Sequence, residues 1–307
     1  MPNYAEADEW QDIEPIPLDE GGPNALAAIA YPEEYDEAMS YLRAVMAKNE
    51  MSDRALSLTE DIIHFNPAHY TVWLYRAKII LTLGKDIRKE LEWLNAAALK
   101  NLKNYQIWHH RTTIVDKLGD ATGEQAFIAR MLAKDSKNYH VWSYRQWLVG
   151  RFDLWDKGEI EAVEALLRED VRNNSAWNHR WFLVFGGSPE NFSQKSVLDR
   201  EFDYAKSAIK LAPQNQSPWN YLRGIIRHAK LPLSTLKDFA LQYAPVDRPD
   251  EISSSHALDL LADIYADESS KEEAAKALDL LAQRYDPIRE NYWNYRKSLL
   301  DQPQVVA

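Results

Sequence analysis

The 307-residue sequence has no cysteine, which excludes disulfides, thiolate chemistry and cysteine-based zinc sites. It has no apolar run near the roughly 18–20 residues that span a bilayer, and its first residues lack a basic, apolar secretory leader. A soluble, cytoplasmic protein is therefore expected. Glycine is scarce, at ten residues, and with a mean hydropathy of −0.50 this fits a helix-rich fold with a well-hydrated surface. Basic residues are missing from the first 42 positions, where eleven acids lie (Glu6, Asp8, Glu9, Asp12, Glu14, Asp19, Glu20, Glu33, Glu34, Asp36 and Glu37). The net charge of −11 therefore belongs to this segment, because residues 43–307 hold 36 acids and 36 bases. Two parts are expected: an acidic N-terminal arm over 1–42, and a helical-repeat domain over 43–307. Trp10, Ile13 and Ile16, with Pro15 and Pro17, suggest that part of the arm packs in extended form. The acids before Trp10 read as a loose, solubilising leader, and Gly21-Gly22 as a turn.

What the sequence has is tryptophan, eleven in all. Trp73, Trp108, Trp142, Trp177 and Trp219 follow one another at 35, 34, 35 and 42 residues, and Trp293 lies 74 further on, about two repeats with one marker missing. Arginine follows at the third position in Arg76, Arg111, Arg145, Arg180 and Arg296, whereas the fifth copy has Leu222 there and Arg223 next. Each period holds two helices and two turns, the unit of a helical-hairpin array. Asparagine near the start of each marker helix suits the N-cap, as at Asn66-Pro67. Gly84, Gly119, Gly150 and Gly186 suit left-handed C-terminal positions. Asp53–Phe65, Ile87–Lys100 and Ile160–Val171 read as amphipathic helices between markers. The expected fold is all-α, a superhelical array of helical hairpins (an α-α superhelix) with an extended acidic N-terminal arm.

Residues three apart share a helix face, so Trp-x-x-Arg reads as a joint between hairpins, with Arg pairing an acid from a neighbouring helix and stacking on a ring. The residues just before the marker Trp lie at helix N-termini, which favour anions. In the second and third copies these are Lys103, Tyr105 and Gln106, then Lys137, Tyr139 and His140. Such a rim could hold a phosphate or carboxylate, or be a solvated edge with capping side chains. His109 and His110 are adjacent and point about 100° apart, so they do not converge on one metal. There is no His pair at i,i+4, no glycine-rich phosphate loop and no Gly-x-Ser-x-Gly elbow. A self-contained enzyme is not visible.

Longer strings carry a family resemblance. Lys103-Asn-Tyr-Gln-Ile-Trp-His-His-Arg111, Lys137-Asn-Tyr-His-Val-Trp142 and Asp170-Val-Arg-Asn-Asn-Ser-Ala-Trp-Asn-His-Arg180 resemble the repeats of the α subunit shared by protein farnesyltransferase and type I geranylgeranyltransferase. Trp10-Gln-Asp-Ile-Glu-Pro-Ile-Pro17, followed by Gly22-Pro-Asn24, is similar to that subunit's N-terminal segment. The likeness runs from about Trp10 to Leu300 and is weakest at about 230–285.

The resemblance implies an obligate heterodimer in which a crescent of hairpins wraps a β subunit. The complex would transfer an isoprenoid from farnesyl or geranylgeranyl diphosphate to the cysteine of a C-terminal Cys-aliphatic-aliphatic-X peptide. Zn(2+) would belong to β, not to this chain, with Mg(2+) for the farnesyl reaction. Neither nucleic acid nor membrane insertion is implied. By motif, Lys103 matches the lysine that contacts the diphosphate and assists its departure, and Gln106 the glutamine that binds the peptide carboxylate. Tyr105, Tyr139 and His140 match residues lining the shared site, and Tyr70 holds the same place in the first repeat. Two other readings are a Rab geranylgeranyltransferase α subunit and a non-catalytic peptide-binding scaffold. A scaffold should be stable alone, whereas a prenyltransferase α subunit should need its partner.

Overall fold

A computed structural model describes residues 4–19, 21, 26–27 and 29–301. Gly22-Pro-Asn24, part of the resemblance, lies outside the described residues. Helices dominate and no strand occurs among the described residues. The chain forms two compact units, Met1–Asp153 and Leu154–Ala307.

In the first unit α1 (Glu33–Ala47) packs on α2 (Asp53–Phe65), and α2 on α3 (Tyr70–Leu83). The hairpins α4–α5 (Ile87–Lys100, Tyr105–Leu118) and α6–α7 (Glu124–Lys134, Tyr139–Phe152) follow. Helices α3, α5 and α7 carry the marker tryptophans and lie side by side. The second unit repeats the plan with α8–α9 (Glu159–Glu169, Asn174–Trp181) and α10–α11 (Lys195–Leu211, Gln216–His228). It continues through the short α12 (Lys237–Leu241) to α13 (Ser255–Asp267), α14 (Lys271–Leu280) and α15 (Glu290–Leu299). The amphipathic stretches expected at Asp53–Phe65 and Ile87–Lys100 are helices over those residues, and the third runs Glu159–Glu169.

Asparagine caps do two jobs. Asn104 Oδ1 accepts the Ile107 N–H at 3.0 Å while its Nδ2 donates to the Pro67 carbonyl of the preceding repeat at 2.8 Å. Asn138 bridges likewise to Leu102, and Asn215 to Val171, both at 2.8 Å. The repeat without a marker Trp keeps the same geometry: Ser254 caps α13 and donates to the Pro213 carbonyl at 2.6 Å, and fully buried Leu258 takes the Trp place. Asn66 departs from the expected cap, because α3 begins four residues later and Asn66 instead accepts from Ala68 N–H in the turn. Gly84 and Gly119 close their helices in the left-handed region. Gly150 and Gly186 do not: α7 runs on to a left-handed Asp153, and Gly186 ends a π turn after α9.

The Trp-x-x-Arg joint is built as an answering pair. Arg76 grips Glu90 with two hydrogen bonds at 2.7 and 2.8 Å, Arg111 grips Glu124 at 2.7 Å twice, and Arg180 grips Glu201 at 2.7 and 2.9 Å. All six side chains are buried. In these three joints the stacked ring is not the arginine's own tryptophan but the aromatic three residues past the acid, whereas Arg145 and Arg296 lie 5.5 Å from the rings of their own Trp142 and Trp293. Trp93, Phe127 and Tyr204 lie under Arg76, Arg111 and Arg180 at 4.0, 3.6 and 3.5 Å. Acid and ring share one helix face at that spacing, so Glu-x-x-aromatic complements Trp-x-x-Arg.

Tyr4 and Trp10 are packed where a loose leader was expected before Trp10. Tyr4 and Trp10 are 4% and 3% exposed and pack with Tyr41 as an aromatic cluster, and Tyr4 donates its hydroxyl to Asp61 at 2.6 Å. Burying such rings outweighs the cost of ordering the backbone around them. Ile13 is buried, and the Ile16 backbone is held at both ends, by the Ser40 carbonyl and the Arg43 guanidinium.

Candidate functional site

Three cap turns of the first unit place the residues singled out at the rim. Tyr70, Tyr105 and Tyr139 open α3, α5 and α7 and stand 64%, 68% and 71% exposed. Their rings are therefore available for contact, unlike the buried tyrosines of the joints. Lys103 precedes the Asn104 cap, and its exposed ammonium has no ion-pair partner among the described residues.

The second and third repeats meet here. His140 stands edge-to-face against Tyr105 with ring centroids 4.2 Å apart, and against Tyr139 at 5.6 Å. The His140 imidazole also lies beside the Lys103 backbone. Partial burial pushes its pKa below the ordinary histidine value, and the Lys103 backbone beside it opposes the shift without reversing it. The neutral form of the histidine is therefore favoured. Lys103, Tyr105 and His140 form one cluster, with Tyr139 at its edge.

Gln106 is half-buried and lies apart from this cluster, on a groove of about 250 Å³ between α3 and α5. Tyr70, Leu74, His109 and Thr113 line the groove, and Trp73 and His110 lie against it. The groove therefore joins Tyr70 to Gln106, an amide at the mouth of a largely apolar slot. His109 is exposed while His110 is buried against Glu90 at 2.9 Å, so the two imidazoles serve different surroundings. Among the described residues no group of three His, Cys, Asp or Glu could hold a metal ion, and no helix is long and apolar enough to cross a membrane.

Beneath the rim, residues that motif reading passed over fix its geometry. Asn138 is 3% exposed; its Oδ1 accepts from the backbone N–H of His140 at 3.0 Å and its Nδ2 donates to the Leu102 carbonyl. Its signal was present as the repeated Asn four residues before Trp. What was not visible was the second bond, which reaches across to the preceding repeat.

Comparison with known proteins accounts for this arrangement. Residues 52–83, 87–118, 122–152, 156–186 and 198–229 match the protein prenyltransferase alpha subunit repeat, each stretch spanning one hairpin with its Trp helix second. The Candida albicans protein farnesyltransferase/geranylgeranyltransferase type-1 subunit alpha is 39% identical over 301 residues, 95% of this chain and 97% of that one. The Schizosaccharomyces pombe subunit of the same name is 46% identical over 218 residues, 71% and 72% of the two chains. Among solved structures, a Candida albicans protein geranylgeranyltransferase-I complexed with GGPP superposes with a TM-score of 0.89 at 38% identity, covering 96% of this chain and 99% of that one.

Proposed function

Since this chain belongs to the family of α subunits shared by protein farnesyltransferase and type-1 geranylgeranyltransferase, we propose that it is the α half of a heterodimeric prenyltransferase, active only with its β subunit. The complex moves a farnesyl or geranylgeranyl group from its diphosphate to the cysteine of a C-terminal Cys-aliphatic-aliphatic-X sequence. A bond forms between the peptide sulfur and C1 of the isoprenoid, the C1–O bond breaks, and diphosphate leaves with the electron pair. Zinc held by the β subunit supplies a metal-stabilised thiolate, with Mg(2+) for the farnesyl reaction. No residue of this chain is assigned to either ion. The proposed place of work is the cytoplasm.

The likeness over nearly the whole of both chains carries this reading. The roles proposed for the rim follow from charge and hydrogen-bonding capacity. Negative charge grows on the departing diphosphate, and a cation held close to it stabilises the transition state more than the ground state. Lys103 is assigned that role. Tyr105, Tyr139 and His140 are assigned to the substrate-facing edge beside it. The Gln106 amide, which can donate two hydrogen bonds, is assigned to the peptide's terminal carboxylate, with Tyr70 beside it.

The test is co-expression with a farnesyl-type and a geranylgeranyl-type β subunit, followed by assays on peptides ending in Met or Ser and in Leu. A stable complex and prenylated peptide are expected with one β type or both, and no turnover by the chain alone. A chain that is monodisperse alone and binds neither β subunit would be a scaffold instead.

A further inference from the structure

We infer that Asn138 is a positioning residue for Lys103, fixing the loop that carries the lysine through its bond to the Leu102 carbonyl. The inference rests on the reading of Lys103 as the cation facing the diphosphate.

The loop before α5 is held differently from its counterparts. In three other repeats the equivalent carbonyl is clamped twice, by the cap residue of the next repeat and by the indole N–H of its own marker Trp. Pro67 accepts from Asn104 and Trp73, both at 2.8 Å; Val171 from Asn215 and Trp177, at 2.8 and 2.9 Å; Pro213 from Ser254 and Trp219, at 2.6 and 2.9 Å. At Leu102 the second clamp is missing: the Trp108 indole N–H is buried and makes no hydrogen bond. Asn138, at 2.8 Å, is the only donor to the Leu102 carbonyl among the described residues.

The backbone of the next residue, Lys103, has the His140 imidazole beside it. The His140 backbone N–H is in turn bound by Asn138 Oδ1. One buried amide therefore holds the Leu102 carbonyl directly and fixes the backbone that carries His140. Asn138 is too buried to reach a substrate, so any effect on turnover must pass through the residues it holds. Misplacing a reacting partner by about 1 Å can cost on the order of a hundredfold in rate.

Aspartate separates the two halves of the amide, since it caps a helix as asparagine does but has no N–H to offer Leu102. In the assembled heterodimer, Asn138→Asp should lower kcat about tenfold to a hundredfold with little change in peptide KM. Asn215→Asp makes the same change where Val171 keeps its Trp177 bond, so it should lower Tm with kcat unchanged. Asn138→Ser should restore most of the rate, because Ser254 already performs both halves of the task with a hydroxyl. Asn138→Asp introduced into Lys103→Ala should produce no further loss, since the two residues act through one element.

Wild-type kcat in Asn138→Asp, or losses that multiply with those of Lys103→Ala, would overturn the inference. An equal loss in Asn215→Asp would overturn it too. Normal turnover in Lys103→Ala removes the reading of Lys103 and this inference with it. An impaired Lys103→Ala beside a normal Asn138→Asp removes Asn138 alone. Should Asn138→Asp not assemble, Asn138→Gly also lacks the donor, and glycine is tolerated at a helix N-cap, so the same outcomes apply to it.

Discussion

Tyr144 donates its hydroxyl to Glu124 at 2.6 Å, and that carboxylate is the one Arg111 grips from the preceding helix of the array. At Glu90, Glu124 and Glu201 the acid is thus shared: the arginine of the preceding repeat holds it, and a residue twenty positions downstream in its own repeat completes it. His110 takes that place at Glu90, His179 at Glu159 and Tyr221 at Glu201. Adjacent hairpins are therefore coupled through buried, fully hydrogen-bonded carboxylates. The rim residues stand on the ends of the helices so joined.

Glu124→Ala should destabilise the protein by about 3–5 kcal/mol, because it strands a buried Arg111 charge. Lys195→Ala removes an exposed pair with Asp199 and should change stability by no more than about 0.5 kcal/mol. Denaturant midpoints of the two variants decide the matter. Equal effects would show that the joints are not structural centres.

Acid should weaken the fold in two stages. Burial pushes the pKa of His110, His140 and His256 below 6.5, so each favours its neutral form in the folded state. Their contribution is present above about pH 6.5 and is lost as pH falls through the lowered folded values. Burial alone would raise Glu90 and Glu201, but bonds from His110 and Arg76, and from Arg180, outweigh it and leave both below 4.5. Their contribution is present above about pH 4.5 and is lost below it. Tm should fall from about pH 6.5 downward and more steeply below 4.5. His110→Tyr, which copies the Tyr144 arrangement, should flatten the upper part of that decline. A Tm unchanged between pH 7.5 and 5 would contradict the histidine assignment.

Two glycine substitutions should have opposite signs. A methyl group on Gly224 would lie 2.9 Å from Cζ3 of Trp181, a ring already packed by Phe185, Phe192, Tyr221 and His228. Gly224→Ala should cost about 1–3 kcal/mol through overpacking. Gly150 lies within α7 with nothing within 4 Å of an added Cβ, so Gly150→Ala should stabilise by about 0.5–1 kcal/mol. Thermal melts of both variants test the packing of α9 on α11 and the run of α7 past Gly150.

Rim substitutions should divide by kinetic parameter. Lys103→Ala should leave the heterodimer intact and remove about 2–4 kcal/mol of transition-state stabilisation, seen in kcat. Gln106→Ala should raise the peptide KM before kcat changes, the mark of lost uniform binding. Unchanged kinetics in an assembled variant would remove that residue from its proposed role.

Much of this was legible in the repeat. A Trp every 34 or 35 residues with Arg three later announces hairpins and joints, because helix periodicity alone brings those two side chains to one face. The long strings around Trp108, Trp142 and Trp177 pointed to the family. The answering Glu-x-x-aromatic at Glu90, Glu124 and Glu201 could have been found by the same count. It was hidden because those helices vary in length and their spacing from the marker shifts from repeat to repeat.

The sequence by itself determined helix type, repeat length and the family, since each depends on patterns within about 35 residues of chain. The tertiary structure decided what depends on contact between repeats. It buried Tyr4 against Trp10 and Tyr41. It moved the cap of α7 past Gly150, and kept the marker-less repeat in line through Ser254. It also left the Leu102 carbonyl with one donor where those of Pro67, Val171 and Pro213 have two. A hydrogen bond between residues 36 apart in sequence requires a side-chain nitrogen to lie within 3 Å of a distant backbone oxygen, and only the packed chain sets that distance.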